Sequence, residues 1–227
     1  MIPWELLGTA EMPGEGGQLR LMRRGGEYAI RLGHTELMNS RLSGSEEALA
    51  TLACARVAPG KKPRILVGGL GMGFTLRAAQ KALPPAAAID VAELVPEVVD
   101  WARGLMADVF GDSLVDPRVS VLVGDVLAIM RKATRTYDAI LLDVDNGPEG
   151  LTRSDNDAIY EQRGLADALA ALRPGGVLAV WSAAPDRFFG ARLKRVGFAV
   201  EEITVKADRG KRGAKHVIWL ASRPGRP

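Results

Sequence analysis

Arg64-Ile65-Leu66-Val67-Gly68-Gly69-Leu70-Gly71-Met72-Gly73 decides the fold. An apolar run ends abruptly in alternating glycines, and a helix-like segment follows. A strand that delivers a glycine loop to a helix is how a nucleotide-handling α/β domain opens its ligand site, because glycine lets the backbone approach the ligand closely. The spacing is Gly-x-Gly-x-Gly, at Gly69, Gly71 and Gly73. It is not Gly-x-Gly-x-x-Gly, since Phe74 and Leu76 stand where that pattern needs glycine. The loop therefore disfavours a nicotinamide or flavin dinucleotide and favours an adenosyl ligand without a pyrophosphate.

A second strand, Ala88-Ile89-Asp90-Val91-Ala92, ends at Glu93, and Glu93 and Leu94 are candidate cofactor-binding residues. An acid at that tip is placed to accept hydrogen bonds from two ribose hydroxyls. The alternative is a glycine turn beside a solvated strand-end glutamate.

Outward from this core, strand patterns at 64–67, 88–92, 119–123, 137–143 and 177–182 alternate with helix patterns at 73–83, 95–108, 125–132, 156–172 and 186–196. Ile140-Leu141-Leu142 and Val177-Leu178-Ala179-Val180-Trp181 are continuous apolar runs, as strands covered on both faces require. The alternation predicts a parallel sheet with helices on both faces. Val200 to Ala207 and His216 to Ser222 break the rhythm as a hairpin, so the last strand is expected to run antiparallel.

Residues 1 to about 45 differ from the rest. Gln18 to Arg24 and Glu27 to Leu32 alternate apolar and polar around Gly25-Gly26, which predicts a β-hairpin. A short strand is expected through Glu36-Leu37-Met38. Ser43 or Ser45 is a candidate cap for a helix from Glu46 to Arg56. Pro59-Gly60-Lys61-Lys62-Pro63 reads as a linker, dividing an N-terminal unit (1–58) from the ligand-binding domain (59–227).

The third strand ends at Gly124-Asp125-Val126. Asp125 can accept from an adenine amino group while the Val126 N–H donates to the ring, or it can cap the following helix; one residue can do both. The fourth strand ends in Leu142-Asp143-Val144-Asp145-Asn146-Gly147-Pro148. Asp143 and Asp145 are the catalytic candidates, because carboxylates at that edge can bind an amine, take its proton or orient a hydroxyl. Asp143 closes a buried run, so its pKa is expected to rise. An acidic loop start before a turn is the competing explanation. The polar segment from Glu149 to Tyr160 can fold over a substrate as a lid, although Ser154 or Asp155 can equally cap a helix. Ser182 is expected to face the pocket, but there is no Gly-x-Ser-x-Gly elbow to make it a nucleophile.

Composition excludes several classes. The chain has 227 residues, 47% of them hydrophobic, with one cysteine and two histidines. One cysteine cannot form an internal disulfide, and Cys54 sits in an apolar helical run without a nearby histidine. With only His34 and His216, histidine-rich metal binding is not expected, and no metal is required. No apolar run approaches the roughly 20 residues that span a bilayer. Met1 to Glu5 lacks a basic-then-apolar leader pattern, and a cytoplasmic location is expected. Net charge is +3, with basic clusters at Arg20, Arg23, Arg24, Arg31 and at Lys206, Arg209, Lys211, Arg212, Lys215. Such clusters are solvated hairpin tips more often than nucleic-acid sites, and few aromatics interleave with them.

Five parallel βα units ending in a hairpin, with Gly-x-Gly-x-Gly after the first strand, resemble the Rossmann-like, seven-stranded S-adenosylmethionine-dependent methyltransferase fold. The segments Leu66 to Gly73, Ala92 to Val99, Asp116-Pro117-Arg118-Val119 with Gly124-Asp125, and Tyr137 to Pro148 are more particularly similar to the spermidine synthase family, over roughly residues 18 to 185. That resemblance implies a small N-terminal β-domain, a homodimer, S-adenosylmethionine or its decarboxylated form as donor, and a small-molecule acceptor. It assigns Gly69, Gly71 and Gly73 to the donor tail, Glu93 to the ribose, Asp125 with Val126 to the adenine, and Asp143 to proton acceptance.

The chain also departs from the family. The family's glycine loop reads Gly-Gly-Gly-Asp-Gly-Gly, and its aspartate helps hold the amine end of the decarboxylated donor; Gly71 stands there. The family's second loop aspartate falls on Asn146, and its Tyr-His-Glu segment is replaced by Gly44-Ser45-Glu46. S-adenosylmethionine ends in its own carboxylate, which an aspartate at Gly71 would repel at a cost of several kcal/mol for an unpaired buried charge. The expectation is methyl transfer from S-adenosylmethionine to a small amine- or hydroxyl-bearing acceptor. The alternatives are aminopropyl transfer to a polyamine and a non-catalytic nucleoside-binding module.

Overall fold

The computed structural model describes residues 2–14, 17–57, 62–144, 147–148, 158–208 and 213–225. Four strands, β1 (Glu5–Glu11), β2 (Gln18–Arg24), β3 (Glu27–Leu32) and β4 (Thr35–Asn39), form an antiparallel N-terminal sheet in sequence order. Gly25, at φ +62, begins the turn between β2 and β3, a backbone angle that favours glycine. β1 was not expected. Its register slips between Leu6 and Gly8, so the alternation that marks a strand is broken there.

Helix α1 (Gly44–Cys54) follows. Ser43 is its N-cap residue, but its hydroxyl bonds the Glu47 side chain rather than a backbone N–H. The expected boundary between residues 58 and 59 falls at 58–61, outside the described residues.

The second sheet has seven strands in the order β10-β11-β9-β8-β5-β6-β7. They are β5 (Arg64–Gly68), β6 (Ala88–Glu93), β7 (Val119–Val123), β8 (Tyr137–Leu142), β9 (Leu172–Ser182), β10 (Ala199–Lys206) and β11 (Lys215–Ser222). β5 to β9 pair in parallel, and β11 inserts antiparallel between β9 and β10. This is the expected parallel sheet with a terminal antiparallel hairpin. The order reverses beside β5, where β8 lies on one side and β6 on the other, and ligands in open α/β sheets bind beyond such a switch point.

The remaining helices are α2 (Phe74–Ala82), α3 (Pro96–Arg103), α4 (Ala107–Phe110), α5 (Val126–Lys132), α6 (Gln162–Ala171) and α7 (Phe189–Val196). The single helix expected over 95–108 is broken at Gly104, which interrupts the ladder between α3 and α4.

Alternation along the strands sorts the core into two layers. Ile65, Val67, Val91, Leu141 and Ala179 pack with α1, α2, α3 and the N-terminal sheet. Leu66, Ile140, Leu142, Leu178 and Val180 pack with α5, α6 and α7 on the opposite face. The N-terminal sheet therefore lies on one face of the large sheet, and the carboxyl ends of β5, β6 and β8 open beneath it. Cys54 is buried in the first layer with its thiol pKa pushed up to about 12 by burial, which removes it as a nucleophile.

Candidate active site

The glycine loop leaves β5 with Gly69, Gly71 and Gly73 at φ +89, +49 and +71. Crowding enforces two of them as well. A Cβ on Gly69 would sit 2.4 Å from the Asp143 carbonyl oxygen, and one on Gly73 would sit 2.4 Å from Phe110 Cε1. At Gly71 the neighbour is Met38 Sδ, 3.0 Å from a Cβ. The loop thus turns tightly against the end of β8, against α4, and against the N-terminal sheet.

Glu93 closes the loop from the side. Its carboxylate accepts the Leu70 N–H at 3.0 Å and the Val95 N–H at 2.9 Å. Burial raises its pKa, and the backbone donors oppose that rise. The sequence offered a choice between ligand acid and solvated strand end, and the solvated option is excluded because Glu93 is buried. Asp125 accepts the Leu127 N–H at 2.8 Å and so caps α5. Its carboxylate remains exposed at the rim of the same cavity, so the capping role leaves a ligand role open.

Asp143 ends β8 and is the acidic centre of the site. It is partly buried and lines the cavity. Burial, and then the neighbouring Glu46 carboxylate, push its pKa up to about 7, against a 2.6 Å bond from the Thr75 hydroxyl that favours the charged form. Glu46 is raised too, mainly by burial. The Glu46 charge adds to the rise at Asp143, while the like charge that adds to the rise at Glu46 is Glu47.

Glu46 is held from behind. Ser45 Oγ donates to Glu46 Oε2 at 2.6 Å and lies 2.9 Å from His216 Nδ1. His216, its pKa lowered by burial, packs edge-on to Trp181 with ring centroids 4.8 Å apart. This chain from β11 through α1 to the end of β8 has no local sequence signature, since Ser45 and His216 are 171 residues apart. The sequence marked Gly44-Ser45-Glu46 as a departure but gave no sign of its partner.

One cavity is lined by Gly69, Gly71, Gly73, Glu93, Leu94, Asp125, Val126 and Asp143. These eight expected residues are therefore brought together, whereas Ser182 is not among the lining residues. Asp145 and Asn146, and most of the proposed lid with Ser154 and Asp155, lie outside the described residues. At the end of β9 it is Trp181 that lines the cavity, while Ser182 bonds the Ala184 carbonyl on the other face. Neighbouring strand residues point to opposite faces, and Trp181 shares the side of Val177 and Ala179.

The N-terminal basic cluster is engaged in its own sheet. Arg23 pairs with Glu5, Arg24 with Glu27 and Arg31 with Glu36, and Arg24 and Arg31 also lie over Trp4. In the C-terminal cluster, Arg209, Lys211 and Arg212 lie outside the described residues. No described helix is long and apolar enough to cross a membrane.

Residues 45–186, more than half of the chain, match the spermine/spermidine synthase domain. The chain belongs to the spermine/spermidine synthase family. Its members include transferases of two kinds. Putrescine N-methyltransferase 2 of Nicotiana tabacum is 33% identical over 121 residues, 53% of this chain and 32% of that protein. Spermidine synthase 2 of Arabidopsis thaliana is 31% identical over 134 residues, 59% of this chain and 37% of that protein. The chain spans about a third of the length of these two curated relatives. Spermidine synthase from Thermotoga maritima has the same fold, with a TM-score of 0.74 at 16% identity over 98% of this chain and 74% of that one. The four-stranded sheet ahead of the seven-stranded sheet is thus the family architecture.

Proposed function

We propose that this spermine/spermidine synthase family member is an S-adenosylmethionine-dependent methyltransferase whose acceptor is a small molecule bearing an amine or hydroxyl. The observation that carries this reading is Met38 Sδ, 3.0 Å from where a Gly71 Cβ would lie. That contact leaves a neutral, tight wall where an acidic side chain would hold the amine end of a decarboxylated donor. A neutral wall suits a donor that ends in a carboxylate, because no buried like-charge pair is formed.

The residues that line the cavity support a reading in which it holds an adenosyl group. In this reading Gly69, Gly71 and Gly73 hold the donor's amino-acid tail, Glu93 and Leu94 the ribose, and Asp125 with Val126 the adenine. Bound S-adenosylmethionine supplies a methyl carbon made electrophilic by its sulfonium. Asp143, titrating about pH 7, takes one proton from an incoming ammonium and leaves a free nitrogen lone pair. The nitrogen–carbon bond forms as the carbon–sulfur bond breaks, and the bonding pair leaves on sulfur. The chain's main task is then to hold nitrogen and carbon in line. An amine is favoured over an alcohol because Asp143 and Glu46 make the acceptor end acidic. Putrescine N-methyltransferases, by their name, carry methyl transfer within this family.

Aminopropyl transfer from the decarboxylated donor is the second reading, and the same acidic pair favours it, since a cationic chain is stabilised by two carboxyl groups. Calorimetric titration with the two donors side by side separates the readings. Tighter binding of S-adenosylmethionine is expected; tighter binding of the decarboxylated form would make aminopropyl transfer the function.

A further inference from the structure

Ser45 Oγ stands between a carboxyl group and an imidazole, 2.6 Å from Glu46 Oε2 and 2.9 Å from His216 Nδ1. A hydroxyl has one hydrogen to give, so it donates to one of these neighbours and accepts from the other. With Ser45 donating to Glu46, the second bond is supplied by His216 Nδ1–H. If Glu46 instead carries a proton on Oε2, that proton points at Ser45 and the Ser45 hydrogen turns to His216 Nδ1. The neutral ring then keeps its proton on Nε2. Both arrangements fill the same two bonds without displacing a heavy atom. Ser45 has no exposed surface, so the turn takes place inside the protein.

The three residues lead from the cavity toward the surface. Glu46 lines the cavity, Ser45 is buried behind it, and His216 on β11 is half-buried. The Gly44 N–H donates to the Ala207 carbonyl at 2.9 Å, which ties the start of α1 to the end of β10, and Trp181 packs edge-on to the His216 ring. On β10 the register partner of His216 is Val205, which is uncharged. Glu201 lies on the same face of β10 and is ion-paired with Arg56 of α1. Lys206 and Lys215 oppose each other one residue further along, on the other face. Glu47 of α1 is bonded by the Ser43 hydroxyl. Burial lowers the pKa of His216 and raises that of Glu46. Both directions favour a neutral ring beside a neutral carboxyl over an imidazolium beside a carboxylate.

We infer that Glu46, Ser45 and His216 share protons as one unit: Glu46 gains and loses its proton on Oε2 through Ser45, and His216 changes tautomer as it does so. The step balances. A proton from solvent joins His216 Nε2, the Nδ1 proton passes to Ser45 Oγ, and the Ser45 proton passes to Glu46 Oε2. Glu46 ends as a carboxylic acid, Ser45 is again a hydroxyl, and the ring is again neutral. Run backwards, the same steps discharge Glu46 to the surface, and neither direction uses the cavity. The bearing on the reaction rests on the reading in which Asp143 takes a proton from the acceptor. An ionised Glu46 adds to the rise of the Asp143 pKa, so the unit sets from behind how strongly Asp143 holds that proton. Ser45 and His216 are positioning residues, since neither is among those that line the cavity.

The test is nitrogen-15 NMR of the histidine rings in the ligand-free protein, with the Glu46 carboxyl carbon followed in the same samples. The chain has two histidines, and His34→Gln leaves His216 alone to be read. As pH falls through the Glu46 titration, Nδ1 of His216 is expected to pass from protonated to unprotonated while Nε2 gains the proton. An isolated histidine does not behave so, because falling pH only adds a proton to its ring. Glu46→Gln and Ser45→Ala are each expected to abolish the change. Glu46→Gln keeps a hydrogen-bonding side chain beside Ser45, so the result does not depend on the stability of Ser45→Ala. A His216 that keeps Nδ1–H while Glu46 takes its proton would overturn the inference. So would an imidazolium formed beside ionised Glu46, or the same tautomer change in Glu46→Gln. The measurement uses neither donor nor acceptor. Failure to bind S-adenosylmethionine would therefore remove the methyltransferase reading and leave this result standing.

Discussion

Thr75 Oγ1 donates a 2.6 Å hydrogen bond to Asp143 Oδ2, tying the first turn of α2 to the end of β8. The same hydroxyl lies 3.4 Å from the Glu46 carbonyl oxygen, so one side chain touches both acidic residues of the site. Its bond favours ionised Asp143, while burial and Glu46 oppose ionisation and prevail. Thr75→Val is therefore expected to move the Asp143 titration above its value of about 7, and Glu46→Gln to move it below. Carboxyl-carbon NMR titration of the two variants reads this directly. Shifts in the same direction would contradict the assignment of causes.

The raised pKa has a consequence for stability. Asp143 titrates about 7 in the folded chain against a reference of 3.8. Between those values the folded state holds more protons than the unfolded state, so stability falls as pH rises through that window and levels off above it. Asp143→Asn keeps an acceptor for the Thr75 hydroxyl and removes the ionisation. Urea unfolding across the window is expected to show a shallower loss of stability for the variant, the remaining slope belonging to Glu46 and Glu93. Parallel curves for the two proteins would show that Asp143 is not buried as an acid.

Gly69→Ala meets two obstacles, a left-handed backbone and a carbonyl oxygen 2.4 Å from the new Cβ. The opposing atom is backbone, so it cannot swing aside. A loss of at least about 1 kcal/mol is expected, together with weaker donor binding. Gly26→Ala is the control, because nothing lies within 4 Å of its Cβ and its φ is not left-handed; it should stay within about 0.5 kcal/mol of the parent. Equal unfolding midpoints for the two variants would contradict the crowding argument.

Ser45 is fully buried between Glu46 and His216. Ser45→Ala removes the hydroxyl that both groups use, and a lost partner for buried polar atoms costs about 1–3 kcal/mol. The Glu46 pKa is expected to rise further, because the Ser45 bond is the largest influence lowering it. An unchanged denaturation midpoint and an unchanged Glu46 titration would remove the network from the account.

The large sheet was legible because its signals are local. Glycines punctuate β5, and apolar runs such as Ile140-Leu141-Leu142 mark strands covered on both faces. The hairpin around Gly25-Gly26 was legible for the same reason. β1 was not, since its bulge between Leu6 and Gly8 breaks the period on which a strand is recognised. At the site, the strand-end acids Glu93, Asp125 and Asp143 could be placed from the order of βα units alone. Their partners could not. The approach of Met38 to Gly71, of Glu46 to Asp143 and of His216 to Ser45 depends on how the N-terminal sheet and α1 dock on the large sheet. Choosing Trp181 over Ser182 required knowing which face the N-terminal sheet covers, because strand periodicity separates the two residues but does not say which side holds the cavity.

The most direct test concerns Gly71. The affinities of S-adenosylmethionine and of its decarboxylated form are measured by calorimetry for the parent protein, for Gly71→Asp and for Gly71→Asn. The asparagine variant controls for size against Met38 and for the left-handed backbone, which both residues tolerate better than most. The account predicts that the parent and Gly71→Asn prefer S-adenosylmethionine and that Gly71→Asp reverses the order, by about tenfold or more in the ratio. A parent that prefers the decarboxylated donor, or an aspartate that leaves the ratio unchanged, would contradict it.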